Sequence, residues 1–414
     1  MKPSKYGDDI KQLVKIANGQ ENKINLSTIM ITLKTQGCEM QEILDYLEDE
    51  GIEIINSDIE PDATDESEKI RPFDPSKIDI KMEKFSLDSL IKRLKFKEIE
   101  LDSDFQRKSG LWSNIQKSQL IESILLKIPL PAFYFDATNE DNWIIIDGLQ
   151  RVTTLKEFVI EQSLILDGME FLKDLNNLTF NEIPRNLQRR LEETNINAYL
   201  VNPNTPVNVK YNIFKRINTG GLQLVPQEIR NALYQGAATK FLKELAQLPI
   251  FSKVFSNSIR DDRMLDREFC LRFVAFSFYG TENYFGSIED FLNDTMLYLN
   301  KTTKEERTKI KKCFILALER CQSLLGIHSF RKMASDGRRR PINKAIFESW
   351  TNVVLNLSES QYNNILHRAN RLKEEYISLC ESDYYLIILK NSDKKSVINR
   401  IQAIEDIINK TLGG

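Results

Sequence analysis

Residues 142–158 read NWIIIDGLQRVTTLKEF, and this stretch joins an apolar run to a polar turn and a second periodic segment. The run WIIID has the bulky and β-branched residues of a buried strand. Asp147 and Gly148 end it, because both residue types favour turns. Gln150 and Arg151 then begin a segment with helical spacing. The stretch therefore predicts a strand that leads through a tight turn into the N-terminus of a helix.

Two interpretations of this turn remain open. In the first, Asp147 caps the helix and Gly148 eases the turn, which is a structural role. In the second, the turn binds a ligand, because helix N-termini present free N–H groups and a positive dipole end that suit a phosphate. Arg151 would then add a bidentate contact to phosphate oxygens, and Asp147 would hold a metal or orient a water molecule. The second interpretation predicts a nucleotide site.

The composition limits the class of protein. With 414 residues, the chain is long for one core and suits two or three domains. It contains no run of about eighteen apolar residues, and its charged N-terminus has no apolar segment behind it, so we expect neither a membrane span nor a signal peptide. The five cysteines are Cys38, Cys270, Cys313, Cys321 and Cys380. They form no CxxC pair, so neither a disulfide framework nor a zinc ribbon is indicated, and a cytoplasmic location fits best.

Charge is distributed unevenly along the chain. The net charge is only -3, but residues 1–70 contain 16 Asp and Glu against 7 Lys and Arg. The remaining residues contain 44 acidic and 50 basic side chains. The sequence therefore predicts an acidic head, with a balance of -9, on a mildly basic body, with a balance of +6.

The acidic head has the pattern of a small helical module. Helices are predicted near residues 5–17, 27–35 and 40–51, and the short strand IEII follows them. This order is typical of a winged helix that binds DNA. The third helix, however, carries only acidic charges where a recognition helix needs basic ones. These acidic residues are Glu42, Asp45, Glu48, Asp49 and Glu50.

With its ending DYLEDEGIEII, the head instead resembles the N-terminal autoinhibitory region of primary bacterial sigma factors. That region is an acidic module which occupies a DNA channel. The alternative is an ordinary acidic helical domain for protein contacts. Residues 58–80, which are polar and contain Pro61, Pro72 and Pro75, are predicted to be a flexible tether.

The central part of the chain mixes strands and helices without regular alternation. Ser86 is predicted to cap a helix through Leu94, and KEIEL to form a short strand. Ser113 and Gln116 form a capping box for a helix through Lys127. The segments FYFDA and WIIID then read as neighbouring strands. A small α+β core is expected.

Two further polar stretches belong to this region. DFQR repeats the Gln-Arg pair as Gln106 and Arg107 in a loop close to Trp112. In NIFKRINTGGLQLVPQEIRNALY, a helix is predicted from Thr205 to Arg216, followed by a turn and by a second helix from Pro226. The turn contains Asn218, Gly220 and Gly221, and the second helix carries Glu228 and Arg230. Paired glycines permit close approach of the backbone to a ligand.

Four stretches of the sequence resemble, in their order and spacing, the GmrSD-type restriction endonuclease N-terminal family. They are DFQR, IDGLQR, FKRINTGG with EIR, and DREFCLRFVAF. The core of this family is similar to the ParB/sulfiredoxin fold. The resemblance extends over about residues 82–410 and implies a nucleotide-dependent protein of bacterial anti-phage or modification-dependent restriction systems. The family motif Asp-Gly-Gln-Gln-Arg is tied to nucleotide binding and hydrolysis, so the implied cofactors are a nucleoside triphosphate and Mg²⁺.

The resemblance assigns roles to residues of this chain. It implies a catalytic role for Asp147, Gln150 and Arg151. It also implies a set of nucleotide-binding residues. These are Gln106, Arg107, Gly148, Arg216, Asn218, Gly220 and Gly221. No metal ligand is assigned.

The chain departs from the family pattern at three points. Leu149 replaces the first Gln of the motif. Val225 stands where the family has Ser or Thr before Pro, so a side-chain helix cap is absent. The C-terminal His-Asn-His nuclease site of full-length members is not expected in this sequence, because His328 and His367 are its only histidines and lie in no such motif.

From about Leu242 onward the pattern is that of amphipathic helices. The segment LDREFCLRFVAFSFYG is too apolar for a surface helix and is predicted to form the centre of a C-terminal helical domain. A basic cluster includes Arg338, Arg339 and Arg340. It is interpreted either as a solvated loop or as a contact to the phosphate backbone of DNA.

The sequence thus predicts an α+β protein with a ParB/sulfiredoxin-like mixed core, a large C-terminal helical domain and a small winged-helix-like N-terminal module. The predicted bounds are 1–57 for the sigma-region-like head, 58–80 for the linker, 81–240 for the nucleotide-binding core and 241–414 for the helical domain.

The predicted function is that of an NTP-hydrolysing sensor or effector of such a defence system, acting on DNA. One alternative is a non-enzymatic, nucleotide-binding regulator whose head docks RNA polymerase or another protein. The other is a nickase that cuts DNA with carboxylates of the central domain. The expected partners are nucleotide, DNA, a separate nuclease subunit or RNA polymerase, and no membrane.

Overall fold

The computed structural model describes residues 7–18, 23–25, 46–47, 52–55, 59–60, 78–100, 112–217, 225–255, 259 and 263–413. The chain divides into two compact units. Residues 71–235 form the middle unit, and residues 1–70 together with 236–414 form the helical unit.

The N-terminal part of the helical unit contains one helix and two short strands within the described residues. They are α1 (Gly7–Asn18), β1 (Lys23–Asn25) and β2 (Glu53–Ile55). The two strands pair in parallel, so that Ile24 lies opposite Ile54. A small apolar cluster lies beside them, comprising Ile10, Leu13, Ala17, Ile24, Leu47 and Ile52. The helix near residues 5–17 and the IEII strand are confirmed, whereas β1 was not predicted.

The second and third predicted helices of the head lie largely outside the described residues. Of the third, Tyr46 and Leu47 are described, and both are helical. The resemblance to a sigma-factor region and to a winged helix therefore stays a prediction.

The middle unit is built on a five-stranded mixed sheet. Its strands are β3 (Ile80–Ser86), β4 (Ile99–Glu100), β5 (Phe133–Asp136), β6 (Trp143–Asp147) and β7 (Asn195–Val201). The order across the sheet is β3-β7-β5-β6-β4. The outer pair β3 and β7 and the central pair β5 and β6 are antiparallel, whereas β5 runs parallel to β7 and β4 to β6. The sheet is consistent with the predicted α+β core.

Six helices of the middle unit are described. They are α2 (Leu87–Lys95), α3 (Asn114–Leu125), α4 (Leu149–Leu155), α5 (Arg185–Glu193), α6 (Val207–Ile217) and α7 (Pro226–Leu233). Two begin at caps that the sequence predicts. The Ser86 hydroxyl accepts the N–H of Ser89, and Ser113 and Gln116 form a reciprocal capping box.

One face of the sheet covers the apolar core. Along β5, Phe133 and Phe135 are fully buried in this core and alternate with Tyr134 and Asp136. Side chains of a strand alternate between faces, so the second face of the sheet carries polar groups near its centre.

The helical unit continues with ten described helices. They are α8 (Ala237–Ala246), α9 (Pro249–Phe255), α10 (Leu265–Val274), α11 (Ile288–Lys301), α12 (Lys304–Leu325), α13 (Lys344–Leu355), α14 (Glu359–His367), α15 (Ala369–Glu381), α16 (Asp383–Lys390) and α17 (Lys394–Gly413). Within the described residues, none of the helices is both long and apolar enough to cross a membrane.

Helix α10 lies at the centre of this unit, as the sequence predicts. All its residues except Leu265 are buried. The ring of Phe269 packs 5.2 Å from that of Phe255 and 5.1 Å from that of Phe347, measured between centroids. Phe278, in the π-helical turn that follows, is only partly buried. A large helical domain is thus confirmed.

Two residues from the predicted tether contact the rest of the helical unit. Ile59 forms a parallel bridge with Ile342, and the N–H of Glu60 donates to the Ile342 carbonyl at 2.7 Å. The Glu60 carboxylate pairs with Lys332 at 2.8 Å and accepts from the Asn343 amide at 2.6 Å. Ile59 and Glu60 are therefore held against the segment that contains the arginine cluster.

Glu122 of α3 connects the core to a loop. Its carboxylate is buried and accepts the backbone N–H groups of Glu170, Phe171 and Leu172 at 3.1, 2.8 and 2.7 Å. Burial by itself would raise the pKa of Glu122, but the three N–H donors favour the anion and leave the pKa below its ordinary value. The ionised carboxylate of Glu122 therefore stabilises this loop.

We predict that Glu122→Gln lowers the free energy of unfolding by about 3 kcal/mol, because an amide can accept only through one oxygen. The pKa of Glu122 is lowered in the folded protein. Its contribution to the free energy of unfolding is therefore fully present above the ordinary carboxyl pKa and is lost as the pH falls through the lowered pKa. Chemical denaturation of the full chain at several pH values measures both effects. Glu193→Gln, at an exposed position, is the control and should change stability by less than about 0.5 kcal/mol.

Candidate functional site

The end of β6 departs from a regular strand. Phe135 lies opposite Ile145 and Asp136 opposite Ile144, but Tyr134 lies opposite Asp147 and not Ile146. This β-bulge adds one residue to β6 just before its end. Bulges of this kind redirect a side chain, and here the bulge places Asp147 beside Tyr134.

Gly148 makes the turn from β6 into α4 possible. Its φ of 102° lies in the left-handed region, which side chains disfavour. A Cβ atom at this position would also lie 2.6 Å from the Phe133 ring and 3.1 Å from Arg151 Nη2. No side-chain cap is present at the start of α4, so Asp147 does not cap this helix. Of the structural interpretation, the cap by Asp147 is therefore wrong, whereas the role of Gly148 in the turn is confirmed.

The guanidinium of Arg151 points towards acceptors of the protein and not towards solvent. Its Nη2 donates to Asp147 Oδ2 at 2.7 Å and to the Ala132 carbonyl at 3.1 Å, and its Nη1 donates to the Pro131 carbonyl. The guanidinium also lies over the Phe133 ring, with its carbon 4.3 Å from the ring centroid. Only 7% of the residue is exposed. Arg151 thus joins the end of β6 to the residues that precede β5.

Burial affects the ionisation of both partners. Desolvation raises the pKa of Asp147 above its ordinary value, although Arg151 and the Gly148 N–H favour the carboxylate. Desolvation likewise lowers the pKa of Arg151, although Asp147 opposes this shift. An arginine remains charged under any physiological condition, so the site holds a cation beside a carboxylate of increased basicity.

The two residues between Gly148 and Arg151 have different environments. Gln150 is partly exposed, and its side-chain oxygen accepts the backbone N–H of Trp112 at 3.3 Å. Leu149 packs against the apolar core of the sheet. The replacement of the family amide by Leu149 is therefore accommodated as a core contact.

Two tyrosines lie beside Asp147. The rings of Tyr134 and Tyr199 stack with centroids 4.8 Å apart. Burial, Tyr199 and Asp147 together raise the pKa of Tyr134, so its hydroxyl stays protonated. These tyrosines were not singled out from the sequence, although their alternation with apolar residues in the strands FYFD and NINAYLV marks them as lying on the second face.

A buried ion pair lies on the same strand. Lys210 of α6 contacts both carboxylate oxygens of Asp136, at 2.9 and 3.0 Å, and also bonds to the Thr138 hydroxyl. The two charged side chains are 6% and 8% exposed. Removing one partner of such a pair leaves an uncompensated buried charge. The pair therefore fixes α6 against the second face of the sheet.

Helix α7 carries the stretch QEIRN in a buried position. Gln227, Glu228 and Arg230 are each no more than 1% exposed. Arg230 donates to the Gln227 side chain at 3.3 Å and lies 5.5 Å from the Tyr211 ring of α6. The Glu228 carboxylate accepts the Val225 N–H at 2.8 Å. In place of a side-chain cap from Val225, this bond stabilises the start of α7.

The predicted site residues fall into three groups. Asp147, Gly148 and Arg151 are in contact, and Gln150 adjoins them in α4. Arg216 is exposed near the end of α6. The predicted residues outside the described part of the chain are Gln106, Arg107, Asn218, Gly220 and Gly221. Their nucleotide-binding role stays a prediction, as does that of Arg216.

The arginine cluster belongs to the helical unit. Arg340 pairs with Asp336 at 2.7 Å, and Arg338 is 3.9 Å from the same carboxylate with 80% of its side chain exposed. Arg339 is also exposed. In the part of the chain that the structure describes, no group of three or more His, Cys, Asp or Glu residues is arranged to hold a metal ion.

The middle unit is thus an α+β domain with a carboxylate, an amide and an arginine at a strand-to-helix turn. Residues 87–235 match the family model described as GmrSD restriction endonuclease, N-terminal domain. This part of the chain is similar to that family's domain, so the resemblance inferred from the motifs is confirmed for about a third of the chain. No curated protein and no solved structure matches the chain.

We predict that Gly148→Ala destabilises the middle unit by more than about 2 kcal/mol, because left-handed strain and a clash with the Phe133 ring add together. Gly168→Ala is the control, since Gly168 also has a left-handed φ, of 66°, but its added Cβ would come no closer than 3.2 Å to another side chain, that of Ile115. Chemical denaturation of both variants tests the difference. Equal losses of stability would contradict the proposed clash at Gly148.

Proposed function

We propose that the middle unit binds and hydrolyses a nucleoside triphosphate, and that the protein serves as a sensor or effector of a restriction system that acts on DNA. The family match to a restriction endonuclease domain supports the role on DNA. The main support for a nucleotide site is the bulge of β6. It places the carboxylate of Asp147, whose pKa is raised, beside the N-terminus of α4.

Each group of the turn has a role in this proposal. The Asp147 carboxylate orients and deprotonates the attacking water, and its raised pKa makes it a better base. The N–H groups at the start of α4 bind phosphate oxygens. The helix is extended at its other end, because α4 continues without a break into a π-helical turn that ends at Glu161. Gln150 supplies a polar contact to the same group.

Arg151 has a positioning role in this proposal. Three of its N–H donors point to Asp147 and to two backbone carbonyls, so it fixes the carboxylate before a ligand binds. This differs from a phosphate-binding arginine, whose donors must face the ligand. The sequence pattern DGLQR is compatible with both roles.

The residues of the turn are compatible with Mg²⁺ bound to a nucleotide. In such complexes the phosphates and water provide most ligands, and the protein adds one or two carboxylates. Asp147 Oδ2 accepts from Arg151, and Asp147 Oδ1 is the atom that would contact the ion. The ion would supply charge neutralisation at the phosphates.

A second function is favoured by Leu149. Because Leu149 packs on the core where the family motif has an amide, one polar contact to a ligand is lost. A regulator that binds nucleotide without hydrolysis requires fewer such contacts. Measured turnover, with and without Mg²⁺, separates the two functions.

We predict that Asp147→Asn reduces nucleotide turnover by about 100- to 10,000-fold, because the amide cannot act as a base. Nucleotide binding should change by less than about tenfold, since the helix N-terminus is retained. Steady-state hydrolysis and equilibrium binding measure the two effects. Turnover of the unaltered protein should decrease as the pH falls through the raised pKa of Asp147, and this decrease should be absent in the variant.

Asp141→Asn is the control for this experiment, because Asp141 is an exposed acid in the turn between β5 and β6. It should leave turnover and binding unchanged. Full turnover in Asp147→Asn would exclude Asp147 as the base. Binding without any turnover in the unaltered protein would instead establish the regulatory function, and nicking of a plasmid would support the nickase.

The contact of Glu60 suggests how the acidic head affects DNA binding. Glu60 pairs with Lys332, in the basic segment that ends in Arg338, Arg339 and Arg340. Negative charge at this position competes with DNA phosphates for the same cations. We therefore propose that the head lies over a basic surface and reduces the affinity for DNA.

We predict that deleting residues 1–57 or 1–75 raises DNA affinity, with the larger gain in the longer deletion because it also removes Glu60. The gain should shrink as salt rises, since screening weakens both the contact of the head and that of DNA. Fluorescence anisotropy with duplex DNA at two salt concentrations measures it. Glu60→Gln in the full chain isolates the contribution of that single charge.

Two other results would assign a different role to the head. Weaker DNA binding by both truncated proteins would identify it as a DNA-binding module despite its charge. Unchanged DNA binding, together with the loss of RNA polymerase or another protein in a pull-down, would identify it as a recruitment module.

A further inference from the structure

The second face of the sheet becomes more exposed from one row of side chains to the next. On β7, the side chains on this face include Val201, Tyr199 and Asn197, which are buried, partly exposed and exposed, in that order. The ion pair of Asp136 holds α6 at the row of Val201, because Asp136 and Val201 are paired residues of β5 and β7. The row of Tyr199 is the next one, and solvent reaches part of it.

This row crosses four strands of the sheet. Tyr199 of β7 is paired with Met82 of β3 on one side and with Tyr134 of β5 on the other. Tyr134 is in turn paired with Asp147 at the bulge of β6. Paired residues of neighbouring strands lie on the same face of a sheet. The row thus leads from the edge strand β3 to the carboxylate that is proposed as the base.

The two tyrosine rings of the row lie face to face. Their centroids are 4.8 Å apart, and their planes differ by 15°. The separation is close to the spacing of neighbouring strands, which is about 4.8 Å, so the rings stand on the sheet and stack across the strands. Each ring therefore covers one face of the other. The second face of the Tyr199 ring is directed towards the β3 side, where Met82 is 58% exposed.

An aromatic ring with one free face can bind a planar ligand. Aromatic side chains bind nucleobases by stacking, and every base offers a π face for this contact. The thioether of Met82 is flexible and polarisable, and methionine sulfur makes favourable contacts with aromatic rings. A base stacked on Tyr199 would therefore lie between the tyrosine ring and a side chain that can adapt to it.

The distance from Asp147 decides which tyrosine suits the base. Tyr134 lies one strand spacing from Asp147, or about 5 Å, whereas Tyr199 lies two spacings away, or about 10 Å. In a nucleotide, the ribose and the first phosphate separate the base from the terminal phosphates by more than one strand spacing. Tyr199 therefore fits the base of a nucleotide whose phosphates lie at the N-terminus of α4, and Tyr134 lies closer to the sugar.

The charge of this face favours a single nucleotide over a strand of nucleic acid. On β3 and β7, the residues of this face are Ile80, Met82, Lys84, Ser86, Asn195, Asn197, Tyr199 and Val201. Lys84 is the only cation among them, whereas a groove that binds a strand follows its backbone with several positive charges. A mononucleotide does not require such charges here, because its phosphates would lie at α4.

We propose that the outer face of the Tyr199 ring, together with Met82, binds the base of the nucleotide. Because stacking is possible for every base, the site takes nucleoside triphosphates as a class. The inference rests on the function proposed for the middle unit, since the phosphates of the same nucleotide lie at the N-terminus of α4. It extends the binding site from the turn after β6 to the edge strand β3.

The test compares adenosine triphosphate with inorganic tripolyphosphate, which carries the phosphates without a base. Isothermal titration of the full chain in the presence of Mg²⁺ measures the affinity for both ligands. Tyr199→Leu should weaken the binding of adenosine triphosphate by about tenfold or more, because the stacking contact is lost. It should leave the affinity for tripolyphosphate unchanged. Tyr199→Phe, which keeps the ring, should restore the binding of the nucleotide.

Two further measurements separate stacking from a structural role of Tyr199. Tyr384→Leu removes a tyrosine that is 53% exposed in the helical unit, and it should change neither affinity. The fluorescence of an aminopurine nucleoside triphosphate is quenched when its base stacks on an aromatic ring. The bound ligand should therefore be quenched in the unaltered protein and in Tyr199→Phe, and less so in Tyr199→Leu. An equal loss of affinity for both ligands in Tyr199→Leu would show a structural role and overturn the proposal.

The remaining outcomes distinguish the base site from the phosphate site. Unchanged nucleotide affinity in Tyr199→Leu would overturn the base site and leave the phosphate site intact. Nucleotide binding that depends on Tyr199 but is not displaced by tripolyphosphate would support the base site and exclude phosphate binding at α4. Displacement of the nucleotide by a short single-stranded DNA would overturn the assignment to a mononucleotide. The absence of nucleotide binding would overturn both sites.

Discussion

The buried guanidinium of Arg151 is the interaction on which the candidate site depends. A cation in the protein interior is tolerated only where acceptors surround it, because its desolvation is otherwise too unfavourable. Arg151 obtains its acceptors from the end of β6 and from the residues that lead into β5. It thereby joins two strands and a helix at one point, and it holds Asp147 in one orientation. The chemistry proposed for the carboxylate follows from this constraint.

Local features of the fold could be predicted from the sequence, because their causes lie within a few residues. Ser86 and Ser113 cap their helices, and WIIID forms a strand that enters a helix, as their patterns indicate. Strands β3 and β7 were missed because each reads as an ordinary mixed segment. They pair with each other across more than a hundred residues of sequence, and β7 also pairs with β5. The bulge at Asp147 was missed for a related reason, since register depends on the partner strand.

The role of Arg151 shows a second limit of sequence reasoning. An arginine in the first turn of a helix after Asp-Gly is equally suited to a phosphate and to carbonyl groups of a neighbouring strand. Pro131 and Ala132 lie twenty and nineteen residues before it, and no pattern marks their carbonyls as acceptors. A similar use of arginine recurs in the helical unit, where Arg320 and Arg400 bind carbonyls at helix ends. Arginine therefore stabilises backbone ends in both units of the described protein.

At position 149, the side chain that packs best on the sheet core differs from the side chain that would contact a ligand best. An amide at this position would face the same turn as Gln150 and would offer a ligand one more hydrogen bond, worth about 0.5–1.5 kcal/mol. Leucine instead packs on the sheet core, and burying such a side chain contributes about 1.5–3 kcal/mol when it is complete. Leu149 is only partly buried, so its contribution to folding is smaller than this. Leucine at this position thus favours folding while it reduces the number of polar contacts at the turn, and any catalysis there must rest on Asp147, Gln150 and the backbone N–H groups of α4.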